Sequence, residues 1–410
     1  MVRTSQTHPL DIAEVRARPS YGRIGVTFCP GKHDRAAASG AWARDLDADL
    51  DAIAAWGARL VLTLVEPAEL VALKTPDLGA QVQARGLDWR HLPIPDFSIP
   101  GDAFEAQWRR HGRDIRMALR DGRDIVVHCK GGLGRAGMIA ARLLVELGVP
   151  PGEAIKQVRR ARKGAIETPS QLALVKRTLP LDDLLDTAAM QKIGGSLGSH
   201  PAGVFRDEHG RRYYVKTVES PAHARNEMLA ARLYRLAGAP TLTYAPPKAP
   251  DQVATEFVEL QTSHVSRLSE AERRQAQRWL GVHAWTANWD AAGFDGDNQG
   301  IVNGVATTLD LGGALEFRAH GDPKGKAFGA QVRELDSLRS DPDNPHAVRL
   351  FAAMTPDQIA ETVAVVLAIA DADIRRVVAD HGGPPALAEK LIARKADMAA
   401  RHPIASSRNA

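Results

Sequence analysis

The apolar segment Asp124-Ile125-Val126-Val127-His128 runs without a break into Cys129-Lys130-Gly131-Gly132-Leu133-Gly134-Arg135. A short apolar run bounded by glycines reads as a buried strand, and the residues beyond it carry helical spacing over about 135–147. The chain must therefore turn from strand to helix through a loop rich in glycine. Backbone N–H groups in such a loop can all point inward, because glycine permits the dihedral angles this requires. The tip of the following helix adds positive potential at the same point. A concavity built this way holds an oxyanion.

Neighbouring segments supply a sheet around that strand. Residues 24–29 and 59–65 read as short buried strands. Residues 43–56 between them place Leu46, Leu50, Ile53 and Ala54 at helical spacing. A second helix is expected over 151–162, after the stop-and-restart signal Gly148-Val149-Pro150-Pro151-Gly152. Strands alternating with helices give an α/β fold, a central sheet flanked by helices, over residues 1–190. At 410 residues the chain exceeds what one hydrophobic core organises, so a second domain is expected over 191–410.

The loop's residue types point to phosphoryl chemistry. A phosphate ester repels an incoming anion, so its charge must be neutralised before attack. The amides of Lys130, Gly131, Gly132, Leu133 and Gly134 can do this, and Arg135 offers a planar fork for two phosphate oxygens. The same field favours thiolate over thiol at Cys129, making it a nucleophile. A buried cysteine in a tight turn is the plainer alternative. His128 before the cysteine and arginine at the sixth place after it weigh against that.

On these residues the first half resembles the protein tyrosine and dual-specificity phosphatase superfamily, whose signature is His-Cys, five residues, then Arg. The loop Gly131-Gly132-Leu133-Gly134-Arg135 is similar to that of the cyclin-dependent kinase inhibitor 3 type. So are Arg44-Asp45-Leu46 with Asp49-Leu50, and the segment Gly164-Ala165-Ile166-Glu167-Thr168-Pro169-Ser170-Gln171. The likeness covers roughly residues 20–180. It implies a phosphatase of phosphotyrosine or dual specificity that works through a phosphocysteine on Cys129 and needs no cofactor. It places the general acid at Asp96, within Leu92-Pro93-Ile94-Pro95-Asp96-Phe97, with Asp102 as the alternative. Gln171 matches the residue that some members use to position the attacking water. Ala136 departs from the pattern, because the family has Ser or Thr there to stabilise the departing thiolate. A slower hydrolysis step and an accumulating phosphoenzyme are expected. A rhodanese-like sulfur transferase uses a similar loop, but it needs no acid at Asp96 and leaves residues 164–171 unexplained.

Composition narrows the setting. Two cysteines, Cys29 and Cys129, are too few for a disulfide framework, and a thiolate enzyme needs reducing surroundings, so cytoplasm is expected. The first twenty residues hold no apolar core behind a basic start, and no stretch is long and apolar enough to span a membrane. Export by a route that cleaves no signal leaves no such mark. Net charge is +4: residues 1–190 hold 27 Lys and Arg against 23 Asp and Glu, whereas 191–410 hold 26 of each. The excess fits an anionic substrate. The run Arg159-Arg160-Ala161-Arg162-Lys163 suggests nucleic acid, but it reads better as a solvated helix end. Cys29, before Pro30-Gly31, reads as a small core or turn residue, with a redox partnership to Cys129 left open.

The second half opens on Gly194-Gly195-Ser196-Leu197-Gly198, then a hairpin of strands over 202–206 and 212–218. A helix over 221–237, a strand over 252–258, a helix over 270–287, a hairpin within 301–311 and helices over 356–380 and 385–400 follow. Residues 195–318 resemble, more distantly, an atypical kinase fold of the HipA or phosphatidylinositol 4-kinase sort, a two-lobed α+β domain. That resemblance implies ATP and Mg²⁺ as ligands. Lys216 would contact the α- and β-phosphates, Glu227 would pair with it, and residues around Glu256 and Val258 would form the hinge that meets adenine. Asp290, or Asp295 in its place, would orient the acceptor, while Asn298 and Asp310 would hold Mg²⁺. A plain salt bridge and turn-forming acids are the bland alternative.

Three functions follow: a bifunctional enzyme that removes and transfers phosphate, a phosphatase whose second domain is a pseudokinase or binding module that recruits substrate, or, since Ala136 breaks the pattern, an inactive first domain that senses phosphate. The expected partner is a phosphorylated protein. Phosphoinositides and phosphorylated RNA ends also carry a phosphate that this loop accepts.

Overall fold

A computed structural model of the chain describes residues 2–37, 40–197 and 200–402. It divides into two compact units, Met1–Asp183 and Leu184–Ala410. The division precedes the expected boundary near residue 190 for a local reason. Asp183 is held to the first unit by its carboxylate, which pairs with Arg116 at 2.7 Å and with Arg120. Leu185 already donates its N–H to Pro246 O, at 2.8 Å.

The first unit runs β1 (Ala13–Val15), β2 (Ile24–Phe28), β3 (His33–Asp34), β4 (Trp42–Ala43), α1 (Leu46–Ala55), β5 (Ala58–Thr63), α2 (Pro67–Ala72), α3 (Leu78–Ala84), β6 (Asp88–His91), α4 (Asp102–Arg120), β7 (Asp124–Cys129), α5 (Gly134–Glu146), α6 (Pro151–Ala161) and α7 (Pro169–Arg177). Five strands make one sheet in the order β1-β2-β7-β5-β6, parallel except for the edge strand β1. β7 is central, so its side chains are buried on both faces. Ile125 and Val127 join the core formed by residues of α4 to α7, whereas Val126 packs with Leu50, Ile53 and Val82 of α1 and α3. The alternation follows from the two-residue period of a strand. Its consequence is that Cys129, at the carboxyl end of the central strand, falls where the loops of a parallel sheet converge.

α1 begins where Asp45 accepts the N–H of Ala48 at 2.9 Å. α7 begins with a capping box between Thr168 and Gln171, which fixes the Gln171 side chain as well as the helix end.

The second unit runs β8 (Gln191–Gly194), β9 (Ala202–Arg206), β10 (Arg212–Thr217), α8 (Pro221–Leu236), β11 (Gln252–Glu256), α9 (Glu270–Gln277), α10 (Leu280–Trp285), β12 (Gln299–Val302), β13 (Val305–Thr308), α11 (Glu334–Ser340), α12 (Pro345–Phe351), α13 (Pro356–Leu367), α14 (Asp371–Asp380) and α15 (Pro385–Arg401). Strands β8 to β11 form an antiparallel sheet in the order β11-β10-β9-β8. Gly194 is therefore a strand residue rather than part of a flexible entry; Gly198 of that expected loop lies outside the described residues. Two expected helices are each broken in two. The 270–287 helix breaks at Arg278-Trp279, and the 356–380 helix breaks at Ala370, which is extended (φ −68°, ψ 139°). Each half turns its own apolar stripe to the core, Ile359, Val363 and Val366 in one and Ile374, Val377 and Val378 in the other. No single helix among the described residues is long and apolar enough to cross a membrane.

A buried charge cluster ties α4 to α5. Glu146 accepts from Trp108 Nε1 (2.9 Å), Arg142 Nε (2.8 Å) and Arg116 Nη1 (2.7 Å). Removing one partner strands a buried charge. Glu146→Ala is expected to lower the unfolding free energy, measured in urea, by about 3–5 kcal/mol; a loss under ~1 kcal/mol would show that water compensates the arginines.

Candidate active site

The turn after β7 brings the sequence's anion cradle together. Gly132 donates its N–H to Cys129 Sγ at 3.2 Å, so at least this amide points at the sulfur. Of the loop glycines only Gly132 has a left-handed backbone, φ +71°, and a Cβ there would lie 2.5 Å from the Phe28 backbone. Gly134 is required by space instead, since a Cβ would meet Glu167 Oε2 at 2.4 Å. Gly131 meets neither demand. Lys130 points its ammonium toward Asp34, 3.8 Å away, with 42% of its side chain exposed. Leu133 is the residue before α5.

Arg135 is 1% exposed and nearly saturated. Nη1 donates to Glu69 Oε2 (2.6 Å) and Ile94 O (2.9 Å), and Nη2 reaches Glu69 Oε1 and Asp96 Oδ1, both at 2.9 Å. Its Nε has no partner. Burial works against the guanidinium's charge, but Glu69 and the Cys129 sulfur raise its pKa above the ordinary value. Burial likewise pushes the Glu69 carboxyl up, and Arg135 with the Glu66 N–H brings it below the usual range.

Asp96 is thus brought to the arginine, whereas Asp102 lies in the first turn of α4 and caps no site. Its neighbour Phe97 is exposed with φ +54°, an uncommon geometry for a bulky side chain. Gln171 is fully buried; its Nε2 donates to Ser98 O at 3.2 Å and its Oε1 accepts the N–H of Glu167 at 3.0 Å. The segment carrying Asp96 is therefore pinned on one side by Arg135 and on the other by Gln171. Ala136 is wholly buried in the core. Cys29 and Cys129 are both free, and they lie in different cores on opposite faces of the sheet, as the register Phe28↔Cys129 requires. Burial pushes the Cys29 thiol up to about 12. That arrangement gives no support to a redox pair.

Four functional contacts were not legible as such in the sequence. Glu69 left only a capping signal, Glu66-x-x-Glu69. Lys32, buried, donates from Nζ to Lys130 O at 3.2 Å. Arg162 donates from Nε to Gly132 O at 2.7 Å, so the basic run is more than a solvated helix end. Glu167, its carboxyl raised by burial, takes the Gly134 N–H.

A family model described as a polymorphic toxin system DSP-PTPase phosphatase matches residues 38–149. Cyclin-dependent kinase inhibitor 3 of Rattus norvegicus is 32% identical over 167 residues, spanning 40% of this chain and 73% of that protein. Through its first unit the chain belongs to the protein tyrosine phosphatases of the dual-specificity type. A probable protein tyrosine phosphatase type IVA A of Dictyostelium discoideum is 33% identical over 86 residues, 21% of this chain and 51% of that one. The crystal structure of kinase associated phosphatase with its catalytic cysteine replaced by serine is 25% identical. It covers 41% of this chain and 92% of that one, with a TM-score of 0.36.

In the second unit, Lys216 on β10 lies 3.0 Å from Glu227 Oε2 on α8 and 2.6 Å from Asp310 Oδ2. Burial alone would lower the lysine's pKa, but the two carboxylates raise it and keep it charged. Asn298 Nδ2 donates to Asp290 Oδ2 at 3.0 Å, so Asp290 rather than the exposed Asp295 faces the amide. Glu256 ends β11 opposite Tyr213, and Val258 follows where the chain leaves the sheet. Lys324, not foreseen, donates to Ala287 O (2.6 Å), Gly313 O (2.7 Å) and Leu315 O (3.1 Å), tying together the segments that flank Asp290 and Asp310. Among the described residues no three His, Cys, Asp or Glu side chains form a ready metal cluster.

His128, wholly buried with Nε2 2.8 Å from Thr63 Oγ1, is held neutral: burial, His91 and Arg135 bring its pKa down to about 3. The unfolded chain takes up a proton near pH ~6.5 that the folded chain refuses, so stability falls as pH drops through that range. Melting temperature is expected to decrease between about pH 7 and 5.5, before carboxylates titrate, with a shallower slope in His128→Gln. An unchanged slope would assign the effect to other histidines.

Proposed function

We propose that Cys129 attacks the phosphorus of a phosphorylated protein. The attack forms an S–P bond and breaks the P–O bond to the leaving group while Asp96 gives that oxygen its proton. Water then attacks the phosphocysteine, passes its proton to the Asp96 carboxylate, and Cys129 leaves as thiolate. Amides of Lys130 to Leu133 and the Arg135 guanidinium hold the equatorial oxygens through both steps, while the Gly134 N–H, expected in the same cradle, stays with Glu167. Gln171 places the water. The observation that carries this reading is the convergence of Cys129 Sγ, the Gly132 N–H and the Arg135–Asp96 pair at the tip of one strand. The phosphoprotein substrate is inferred from likeness to the rat protein, whose name links it to a kinase.

Hydrolysis of an aryl phosphate by the full chain is expected to vanish in Cys129→Ser and to lose about 10²–10⁴-fold in kcat in Asp96→Asn. With Ala136 in place of a hydroxyl, stopped-flow traces should show a burst of aryl alcohol before the steady state, shrinking in Ala136→Ser. Full activity in Cys129→Ser would end the proposal, and absence of a burst would end the slow second step.

For the second unit a nucleotide-binding reading is supported by the Lys216–Glu227 and Lys216–Asp310 pairs. Lys216 would hold the α- and β-phosphates beneath the β8–β9 hairpin. Asp310 and the Asn298 side-chain oxygen would hold Mg²⁺, which would supply charge neutralisation at the phosphates, and Asp290 would orient the acceptor. Glu256 and Val258 would line the hinge. Saturating Mg-ATP is expected to raise the melting temperature of the full chain by several degrees. The shift should be lost in Asp310→Asn and in Lys216→Met; no shift in the unaltered chain would leave a recruiting module.

A further inference from the structure

The loop around Cys129 is held from behind as well as from within. A peptide plane carries its carbonyl and the next residue's N–H on opposite edges. Fixing a carbonyl outward therefore fixes the following N–H inward. Lys130 O receives Lys32 Nζ at 3.2 Å and the Cys29 N–H at 3.4 Å, which sets the Gly131 amide. Gly132 O receives Arg162 Nε at 2.7 Å, which sets the Leu133 amide. Leu133 O receives the N–H of Gly137 at 3.1 Å and of Ile166 at 3.3 Å, and the Gly134 N–H beyond it goes to the Glu167 carboxylate instead of the cradle. Between them, the Gly132 amide reaches the sulfur.

Two of these braces are cations. Lys32 is 4% exposed; among the described residues no carboxylate comes within ion-pair distance of its ammonium, and Asp34 acts on it from farther off. It sits 4.9 Å from the ring centres of both Phe28 and Trp42. Burial lowers its pKa, so the fold bears a cost that a methionine of similar volume would avoid. Arg162 lies just past α6, where its backbone turns extended (φ −136°, ψ 98°); its Nη1 is engaged by Asp11 while its Nε serves the loop.

We propose that Lys32 and Arg162 are positioning residues of the phosphatase site: they hold the Gly131 and Leu133 amides toward the phosphate and place two positive charges behind it. This rests on the phosphatase reading of Cys129. The other groups that act on the sulfur are Arg135 and Cys29, with His128 neutral beside it. Asp34 faces Lys32 and Lys130, Asp11 faces Arg162, and Glu69 and Asp96 face Arg135.

The test uses the full chain with Lys32→Met, Lys32→Gln, Arg162→Met and Arg162→Lys. Iodoacetamide labelling of Cys129 is followed by peptide mass from pH 4 to 9, alongside vanadate inhibition and thermal melting. The pH midpoint of labelling is expected to rise by about one unit in each Met variant. Vanadate should bind about tenfold more weakly in them, with melting no lower for Lys32→Met. Lys32→Gln, which keeps a donor without charge, should restore part of the vanadate affinity but not the labelling midpoint, and Arg162→Lys should restore part of both. Folded Met variants with unaltered midpoint and vanadate affinity would overturn the proposal. So would changes that merely track a loss of melting temperature. An unaltered chain that labels like an ordinary exposed thiol would instead overturn the phosphatase reading beneath it.

Discussion

A guanidinium buried beside a sulfur is the constraint on which the first unit is built. Arg135 can sit 1% exposed only because Glu69 meets both of its Nη atoms and Ile94 O and Asp96 take what remains. That demand explains the placement of α2, which brings Glu69 in on its first turn. It also explains the route of the chain after β6, which must lay the Ile94 carbonyl and the Asp96 carboxylate against the arginine. The unpartnered Nε is the one donor this arrangement leaves spare for an anion. An oxyanion reaching Nη2 would have to displace the Asp96 carboxylate that lies 2.9 Å from it.

The second unit solves a similar electrostatic problem with the signs redistributed. One ammonium, on Lys216, is compensated by carboxylates from a helix and from the segment after β13. Both sites thus rest on a buried cation whose partners come from segments far apart in the chain, and in each the cation comes from a regular element while a loop carboxylate completes the pair.

What could be read from the amino-acid string follows the same division. Cys129 through Arg135 was legible because strand, glycine turn and helix tip are contiguous, and contiguity is what periodicity reveals. Asp96 and Gln171 were reached through family likeness rather than through their own spacing. Lys32, Glu69 and Arg162 were not legible as site residues, since each acquires its role only when β2, α2 or the end of α6 folds against the loop. The broken helices have the same cause. Apolar spacing continues across Arg278-Trp279 and across Ala370, but packing in two directions favours a bend over one long rod. The short strands β1, β3 and β4 escaped notice because a three- or two-residue strand carries no period.

Gly132 touches the backbone of Thr27 and Phe28 so closely that not even a methyl group fits between them. The nucleophile's loop and the end of β2 consequently behave as one solid piece, and neither can shift without the other. The opposite wall, the proline-flanked stretch around Phe97, is tied to the same piece through Arg135 and Gln171.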